Sequence, residues 1–193
     1  MSKLSLAITF NGSFRIGSGR SGVMLDDVLD PDRLLPGTSL KGVMREAARA
    51  LFPMVDDATD HPMVAEVFGT TRSRSPWHWD DAEFAVEPSI RPKARIALDD
   101  RRRTEPGALF VVEAAHTSTA TATIWQQGAV DAGRVETHLA LLSIAARLVE
   151  GLGADRRRGL GWVTITTERR ECDKDIALLL ANEVQASLLP GSQ

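Results

Sequence analysis

Residues 34–51 read LLPGTSLKGVMREAARAL, which joins a turn to a helix soon after a strand. Pro36 and Gly37 are turn residues, and Thr38 or Ser39 is a candidate N-cap. From Leu40 onward, apolar residues recur at helical spacing, which predicts an amphipathic helix over 39–52 that ends at Pro53. Upstream, residues 4–16 (LSLAITFNGSFRI) alternate apolar and polar positions, as a strand does.

The rest of the chain extends this strand–helix series. Apolar periodicity predicts further strands at 82–86, 108–114, 117–125 and 162–167, and helices at 136–150 and 175–188. Residues 54–80 are predicted as loop with at most a short helix at 63–68, and 89–98 as an irregular or hairpin segment. The order predicts an α+β, ferredoxin-like (RRM-like) βαββαβ core, an antiparallel sheet with both helices on one face. We expect one domain over 1–193, with insertions around 17–35 and 54–105.

Composition excludes several classes of protein. The 193 residues are 43% hydrophobic and 25% charged, which is typical of a globular protein and not of a disordered one. No run of eighteen apolar residues is present, so a membrane-spanning helix is not expected. The N-terminal residues lack a hydrophobic signal core, and the single cysteine, Cys172, cannot form an internal disulfide. These features predict a cytoplasmic protein.

The balance of charge limits how the chain could bind nucleic acid. With a net charge of −3, such binding must come from a local patch. Nineteen of the 23 basic residues are arginine. A GC-rich genome would produce this bias, and so would selection for planar guanidinium groups that bind phosphates bidentately. The positions of the arginines decide between these explanations.

The first of three basic segments is the start of the 39–52 helix. The N-terminal amides of a helix are free to bind an anion, and Lys41 and Arg45 lie one turn apart on one face. Together with Ser39 they are candidate contacts to an RNA phosphate. The alternative is a capped helix with two solvated charges.

Two further basic segments lie near the middle and the end of the chain. Residues 153–161 (GADRRRGLG) combine close backbone approach with concentrated positive charge, but they lack the GKS/GKT ending of a P-loop. A solvated turn is the alternative there. Residues 91–103 hold six basic residues against two aspartates, a concentration that favours an anionic partner over codon bias. The candidate RNA contacts are Arg156, Arg157, Arg158 and Gly159 in the first of these, and Arg101, Arg102 and Arg103 in the second.

These segments together resemble the repeat-associated RAMP superfamily of CRISPR proteins. The 34–51 stretch is similar to the signature of that superfamily. VFGT at 67–70 with DAEF at 81–84, RIALDDRRRTEPGALFVVEAA at 95–115 and GLGADRRRGLGWV at 151–163 follow in the family's order. Within the superfamily, the chain resembles the backbone subunit of type III effector complexes, which polymerises along the guide RNA.

The resemblance implies partners and a site. The partners are a CRISPR guide RNA, a target RNA and other effector subunits, including further copies of the chain or close relatives, with no membrane. In that group an Asp on the loop after the first strand cleaves target RNA, and Asp26 or Asp27 fits the place. Loop length is ambiguous by one residue, and we favour Asp26. Arg15, Gly17 and Arg20 on the same loop are candidate RNA contacts.

The implied activity is that of a metal-dependent endoribonuclease. RNA supplies its own nucleophile, the 2′-hydroxyl, so the protein need only align it with the phosphorus. One Asp either removes the hydroxyl proton or binds a divalent ion such as Mg²⁺, with Asp26 as ligand, weakly and mainly when RNA is present. Two alternatives are a structural subunit whose Asp26 and Asp27 only shape the loop, and a histidine-dependent endonuclease that processes precursor CRISPR RNA. The last ranks lowest because no histidine lies in the glycine-rich loops or the first-helix motif.

Overall fold

The protein is described here by a computed structural model that covers residues 2–22, 25–98, 101, 104–169 and 172–188. None of the helices within those ranges is long and apolar enough to cross a membrane. In chain order the elements are β1 (Lys3–Phe10), α1 (Gly37–Leu51), α2 (Pro62–Phe68), β2 (Trp77–Trp79), β3 (Glu83–Phe84), β4 (Ser89–Leu98), β5 (Thr104–His116), β6 (Thr119–Gln126), α3 (Val135–Arg147), β7 (Val163–Thr167) and α4 (Cys172–Leu188).

The main sheet has the strand order β2–β6–β1–β7, with β3 also pairing with β6. All of these pairs are antiparallel. Side chains alternate along β1, so that Leu4, Leu6 and Ile8 are buried whereas Ser5 and Thr9 are exposed. The order and the two crossing helices α1 and α3 confirm the predicted ferredoxin-like βαββαβ core.

Helix α3 lies at the centre of the helical layer. It packs against α1, α4, β1 and β7. Every residue from Thr137 to Ala146 is buried, because neighbours cover the helix on nearly all sides. Helix α1 is more amphipathic and buries only Gly37, Leu40, Met44 and Ala48. The core therefore sits between the sheet and α3.

Strands β4 and β5 form a separate two-stranded hairpin. It joins the core at its base, where Phe14 pairs with Ala115 and Asp27 with Val112. Val112, Ala114 and Ala115 are buried there, whereas Leu109 and Phe110 farther along β5 are exposed. Residues 89–98, predicted as an irregular or hairpin segment, thus form one strand of a hairpin, and β5 is longer than its predicted range.

Three local predictions were wrong. The strand predicted over 4–16 ends at Phe10, because Asn11 bends away and donates its N–H to the carbonyl of Trp162 (2.8 Å). Residues 77–79, predicted as loop, form β2. Neither Thr38 nor Ser39 caps α1, since the helix begins at Gly37, whose N–H donates to Asp81 Oδ1 (2.8 Å). A Cβ at Gly37 would clash with the carbonyl oxygen of Trp79, so glycine allows this close approach.

Candidate nucleic-acid interface

Three segments meet beside β1: the loop after β1, the base of β5, and the glycine-rich loop 151–161. Phe14 donates its N–H to the carbonyl of Ala115 (2.9 Å). Ala154 donates to the carbonyl of Arg15, and Gly161 to that of Ser13, both at 2.8 Å. Two of the segments predicted to bind RNA, the loop after β1 and the glycine-rich loop, therefore lie side by side.

The glycine-rich loop depends on backbone conformations that favour glycine. Gly153 has φ +78, and a Cβ there would clash with the carbonyl of Arg15. After Asp155, which adopts a left-handed conformation (φ 62), residues Arg156–Arg158 form one 3-10 turn that ends at Gly159. Leu160 anchors the loop in the interior, whereas Arg156, Arg158 and Gly159 are exposed. Arg156 Nη1 lies 3.5 Å from Glu46 Oε2 of α1, a solvent-exposed ion pair.

Asp26 is exposed and fixed against the hairpin. Its N–H donates to the carbonyl of Val111 (2.8 Å), and its Oδ2 accepts from the N–H of Val111 (2.7 Å). The pairing continues along β5, where Glu113 donates its N–H to the carbonyl of Asp27 (3.2 Å). Glu113 Oε2 accepts from the N–H of Leu29 (2.9 Å). The base of the hairpin thus holds the Asp26 carboxylate in place while leaving it open to solvent.

Asp27 and Arg15 have a different environment. Asp27 Oδ2 forms an ion pair with Arg15 Nη2, and a Cβ at Gly17 would clash with that same oxygen. Arg15 is 7% exposed, and its Nη1 also lies 3.2 Å from Asp155 Oδ2. A buried guanidinium that already bonds two carboxylates is not presented to a phosphate, so this geometry lends no support to the predicted RNA contact of Arg15. Gly17 and Arg20 are exposed.

The basic residues of α1 are engaged elsewhere. The Lys41 ammonium lies 5.1 Å from the ring centroid of Trp79, and its pKa is lowered by burial and then by the charge of Arg45. Arg45 Nε donates to Asp60 Oδ2 (2.8 Å). Ser39 donates its N–H to the carbonyl of Pro36 (2.9 Å).

Asp81 supplies negative charge at the first amide of α1, the position predicted to bind a phosphate. A hydrogen bond from Arg33 and then one from Gly37 N–H hold the pKa of Asp81 below its usual value. The start of α1 therefore already has its anion, and farther along the helix Glu46 pairs with Arg156 of the glycine-rich loop.

On the hairpin, Arg91 and Lys93 of β4 are exposed, as is Arg101 in the connection to β5. Arg102 and Arg103 lie outside the described residues. Positive charge is thus present on exposed faces of both the hairpin and the glycine-rich loop.

A metal centre built by the protein is not found in the described parts of the chain, which contain no group of three or more His, Cys, Asp or Glu side chains able to hold an ion. Mg²⁺ takes six oxygen ligands, and Asp26 is a single exposed carboxylate. The donor set does not fit a protein-built cage, so the predicted Mg²⁺ would need RNA oxygens and water as its other ligands.

Two residues of the junction were not singled out from the sequence: Asp155 and Glu113. A signal for Asp155 was present, because it is the one acidic residue in the basic segment 153–161. Glu113 had none, since its role depends on which strand edge faces the loop.

Comparison with known proteins places this geometry in a family. The model of the RAMP superfamily matches residues 8–164. Among solved structures, a chain from the "Type III-B Cmr-beta Cryo-EM structure of the Apo state" aligns with a TM-score of 0.65 at 14% identity, covering 87% of this chain and 98% of that one. No curated protein matches. At 14% identity the alignment establishes a shared fold. Because the family model spans most of the sequence, including the end of β1, α1, the hairpin and the glycine-rich loop, this chain belongs to the RAMP superfamily.

Proposed function

We propose that this protein is a guide-RNA-binding subunit of a type III CRISPR effector complex and that it cleaves target RNA through Asp26. Membership of the RAMP superfamily and the shared fold with a chain of a type III-B Cmr-beta structure support the assignment to such a complex. Its partners are then guide RNA, target RNA and other effector subunits, including further copies of itself, in the cytoplasm and away from membranes.

The observation that carries the proposal is a contact between two loops. The glycine-rich loop 151–161 bears exposed arginines, and the loop after β1 bears the fixed, exposed carboxylate of Asp26. Arg156 and Arg158 are exposed on a turn whose backbone is bonded to the segment that follows β1. Exposed guanidinium groups on such a turn suit contacts to phosphates, which position a nucleic acid without reading its bases. Asp26 lies farther along the chain, on the loop after β1.

Asp26 suits a role in proton transfer. Alignment of the 2′-hydroxyl with the phosphorus is the main requirement of the reaction, and a carboxylate at the hydroxyl assists by accepting its proton. Pairing of Asp26 with Val111 restricts the carboxylate, so it does not have to be ordered during the reaction. Asp27 is less suited, since Arg15 occupies its Oδ2.

A scaffold without catalysis is the second candidate. The observation that favours it is that the described residues contain no group of three or more His, Cys, Asp or Glu side chains able to hold a metal ion. The scaffold would keep the glycine-rich loop 151–161 and the RNA contacts of its arginines.

The test uses the complex assembled with its guide RNA and a labelled complementary target. Asp26→Ala should reduce the rate of cleavage about 100-fold or more, the scale of a proton-transfer contribution, while guide and target affinities stay within about twofold. Asp30→Ala, on the same loop, is the matched control and should cut normally. Cleavage at the normal rate by both Asp26→Ala and, separately, Asp27→Ala, or an unmodified complex that never cuts, would leave the scaffold as the function.

A further inference from the structure

We propose that Arg15 is a positioning residue that couples the glycine-rich loop 151–161 to the loop that carries Asp26. The inference rests on the proposed function for its catalytic readout, and hydrogen exchange supplies a second readout that does not depend on cleavage. It assigns to Arg15 a role inside the protein in place of a contact to RNA.

The geometry of Arg15 joins the two loops twice. Through the backbone, the carbonyl of Arg15 accepts from the N–H of Ala154 (2.8 Å). Through the side chain, Nη1 bonds Asp155 of the glycine-rich loop and Nη2 bonds Asp27 of the other loop. Asp27 is the neighbour of Asp26 and is itself paired with β5. A change in the position of Asp155 is thus transmitted to Asp26 through the side chains of Arg15 and Asp27 and one peptide bond.

The energetics of the cluster argue against a role in stability alone. One guanidinium faces two carboxylates, and the buried atoms Arg15 Nε and Asp27 Oδ1 find no hydrogen-bond partner within the described part of the chain. Burying an ion pair is costly unless its remaining polar atoms are satisfied, and apolar residues of similar volume are often as stable. An incompletely satisfied, buried ionic cluster between two loops fits a requirement for position better than a requirement for stability.

The consequence concerns guide RNA. If phosphates engage Arg156 and Arg158, the turn that begins at Asp155 is restricted, and Arg15 then restricts Asp27 and Asp26. Guide binding would in this way stabilise the position that the Asp26 carboxylate already has against the hairpin. Asp27 becomes a positioning residue, and only Asp26 touches the reacting atoms.

The experiment compares Arg15→Met with Arg134→Met in the assembled complex. Arg134 is a partly buried arginine paired with Glu66, away from both loops, so it receives the same chemical change as a control. Arg15→Met should lower kcat about 10- to 100-fold, in line with displacement of a catalytic group by about 1 Å, with KM for target and guide affinity within about twofold. Arg134→Met should leave all three unchanged. In an Asp27→Asn background, Arg15→Met should lower kcat less than about threefold, because the two residues act as one pair.

Hydrogen exchange gives the readout that is independent of cleavage. The N–H groups of Asp26 and Val28 bond Val111 and Arg20, and guide RNA should slow their exchange in the unmodified protein but not in Arg15→Met. Asp155→Asn, which conserves side-chain size, should show the same loss of guide-induced protection and serves if Arg15→Met does not fold. Guide-induced protection that persists in Asp155→Asn would overturn the proposal. So would a fall in guide affinity with a shallower salt dependence in Arg15→Met, which would make Arg15 an RNA contact. An unmodified complex that never cuts would refute catalysis by Asp26 and leave the coupling to be decided by exchange.

Discussion

Two clusters in this protein contain arginine and aspartate in opposite proportions. On α1, Arg45 and Arg49 both bond Asp60, whereas in the loops Arg15 bonds both Asp27 and Asp155. Asp60 and Arg15 are the buried members, each 7% exposed. In the α1 cluster the arginines reach solvent, and in the loop cluster the aspartates do.

The difference shows that arginine content alone does not identify an RNA-binding surface. Burial of Asp60 by itself would raise its pKa, but hydrogen bonds from Arg49 and Arg45 hold the pKa below its usual value. Those arginines are therefore bound to a carboxylate that stays ionised, and a phosphate would have to compete with it. Within the described residues, no ion pair joins the exposed Arg156 or Arg158 to a buried carboxylate such as Asp60.

The largest effect should come from changing the contact between the two loops. Gly153→Ala should destabilise the protein by about 4 kcal/mol, because it adds left-handed backbone strain to a clash with the carbonyl of Arg15. Gly159→Ala is the matched control: φ is +80 but the space around it is open, so about 1 kcal/mol is expected. Urea denaturation measures both. Equal losses would mean that the loops do not depend on their close approach.

Removing the buried carboxylate of α1 should have the next largest effect. Asp60→Ala should cost about 3 kcal/mol, near the low end for breaking a buried pair, since Arg45 and Arg49 can still turn to solvent. Asp57→Ala, which changes an exposed aspartate of the same segment, should cost less than about 0.5 kcal/mol. Thermal unfolding distinguishes them, and an Asp60→Ala protein as stable as the parent would remove the contrast between the clusters.

RNA affinity tests the same contrast from the other side. Replacing Arg156, Arg157 and Arg158 with Ser should weaken guide binding about 30-fold and reduce the slope of log K against log salt by about 2, because each phosphate contact on a single strand releases about 0.7 counterion. The melting temperature should hardly change.

Lys41→Ala with Arg45→Ala is the comparison variant for that experiment. The sequence alone predicts that it weakens RNA binding, whereas the pairing of Arg45 with Asp60 predicts mainly a loss of stability. A salt slope reduced as strongly as in the loop variant would place α1 on the RNA path.

The smallest effect is a pH dependence confined to the helical layer. His138 is buried, its Nδ1 accepts from Trp77 Nε1 (3.0 Å), and its Nε2 lies 3.1 Å from Glu66 Oε1. Burial lowers the pKa of His138, a shift that Glu66 opposes and Arg134 reinforces. The unfolded chain therefore takes up a proton first, and stability should fall by about 1 kcal/mol as pH drops below about 6.5.

Melting temperature against pH measures this loss. His78→Gln, at an exposed histidine, should retain the pH dependence. Guide affinity, which depends on the arginines of the glycine-rich loop, should change little over the same pH range, because guanidinium groups stay charged. A melting temperature that is flat between pH 7 and 5.5 would contradict the assignment to His138.

The sequence predicted the elements with strong periodicity and missed those set by tertiary contacts. Helices α1 and α3 and strands β6 and β7 were recognised because their apolar spacing is regular over many residues. Strand β2 has only three residues, and its pairing with β6 is what makes it a strand. The start of α1 was misplaced because its first amide bonds Asp81, which is distant in sequence.

The candidate site was predictable in its residue types and not in its pairings. The resemblance to the RAMP superfamily identified Asp26, Asp27, Arg15 and the glycine-rich loop as parts of one site. It could not tell an exposed Asp26 from a paired Asp27, since adjacent residues differ here only in which side of the loop they face. Nothing in the sequence indicated that Arg15 pairs with Asp155, which lies more than a hundred positions away.

The central position of β1 has a consequence for synthesis. Its neighbours β6 and β7 begin only at Thr119 and Val163, so at about 5–20 residues per second β1 leaves the ribosome several seconds before either partner exists. Strands β4 and β5 adjoin in sequence and can pair as soon as His116 has emerged. The nascent chain thus carries an unpaired strand that exposes Leu4, Leu6 and Ile8 until its partners are made. The unpaired β1 is a poorer template for aggregation because polar residues alternate with these apolar ones, namely Lys3, Ser5 and Thr9.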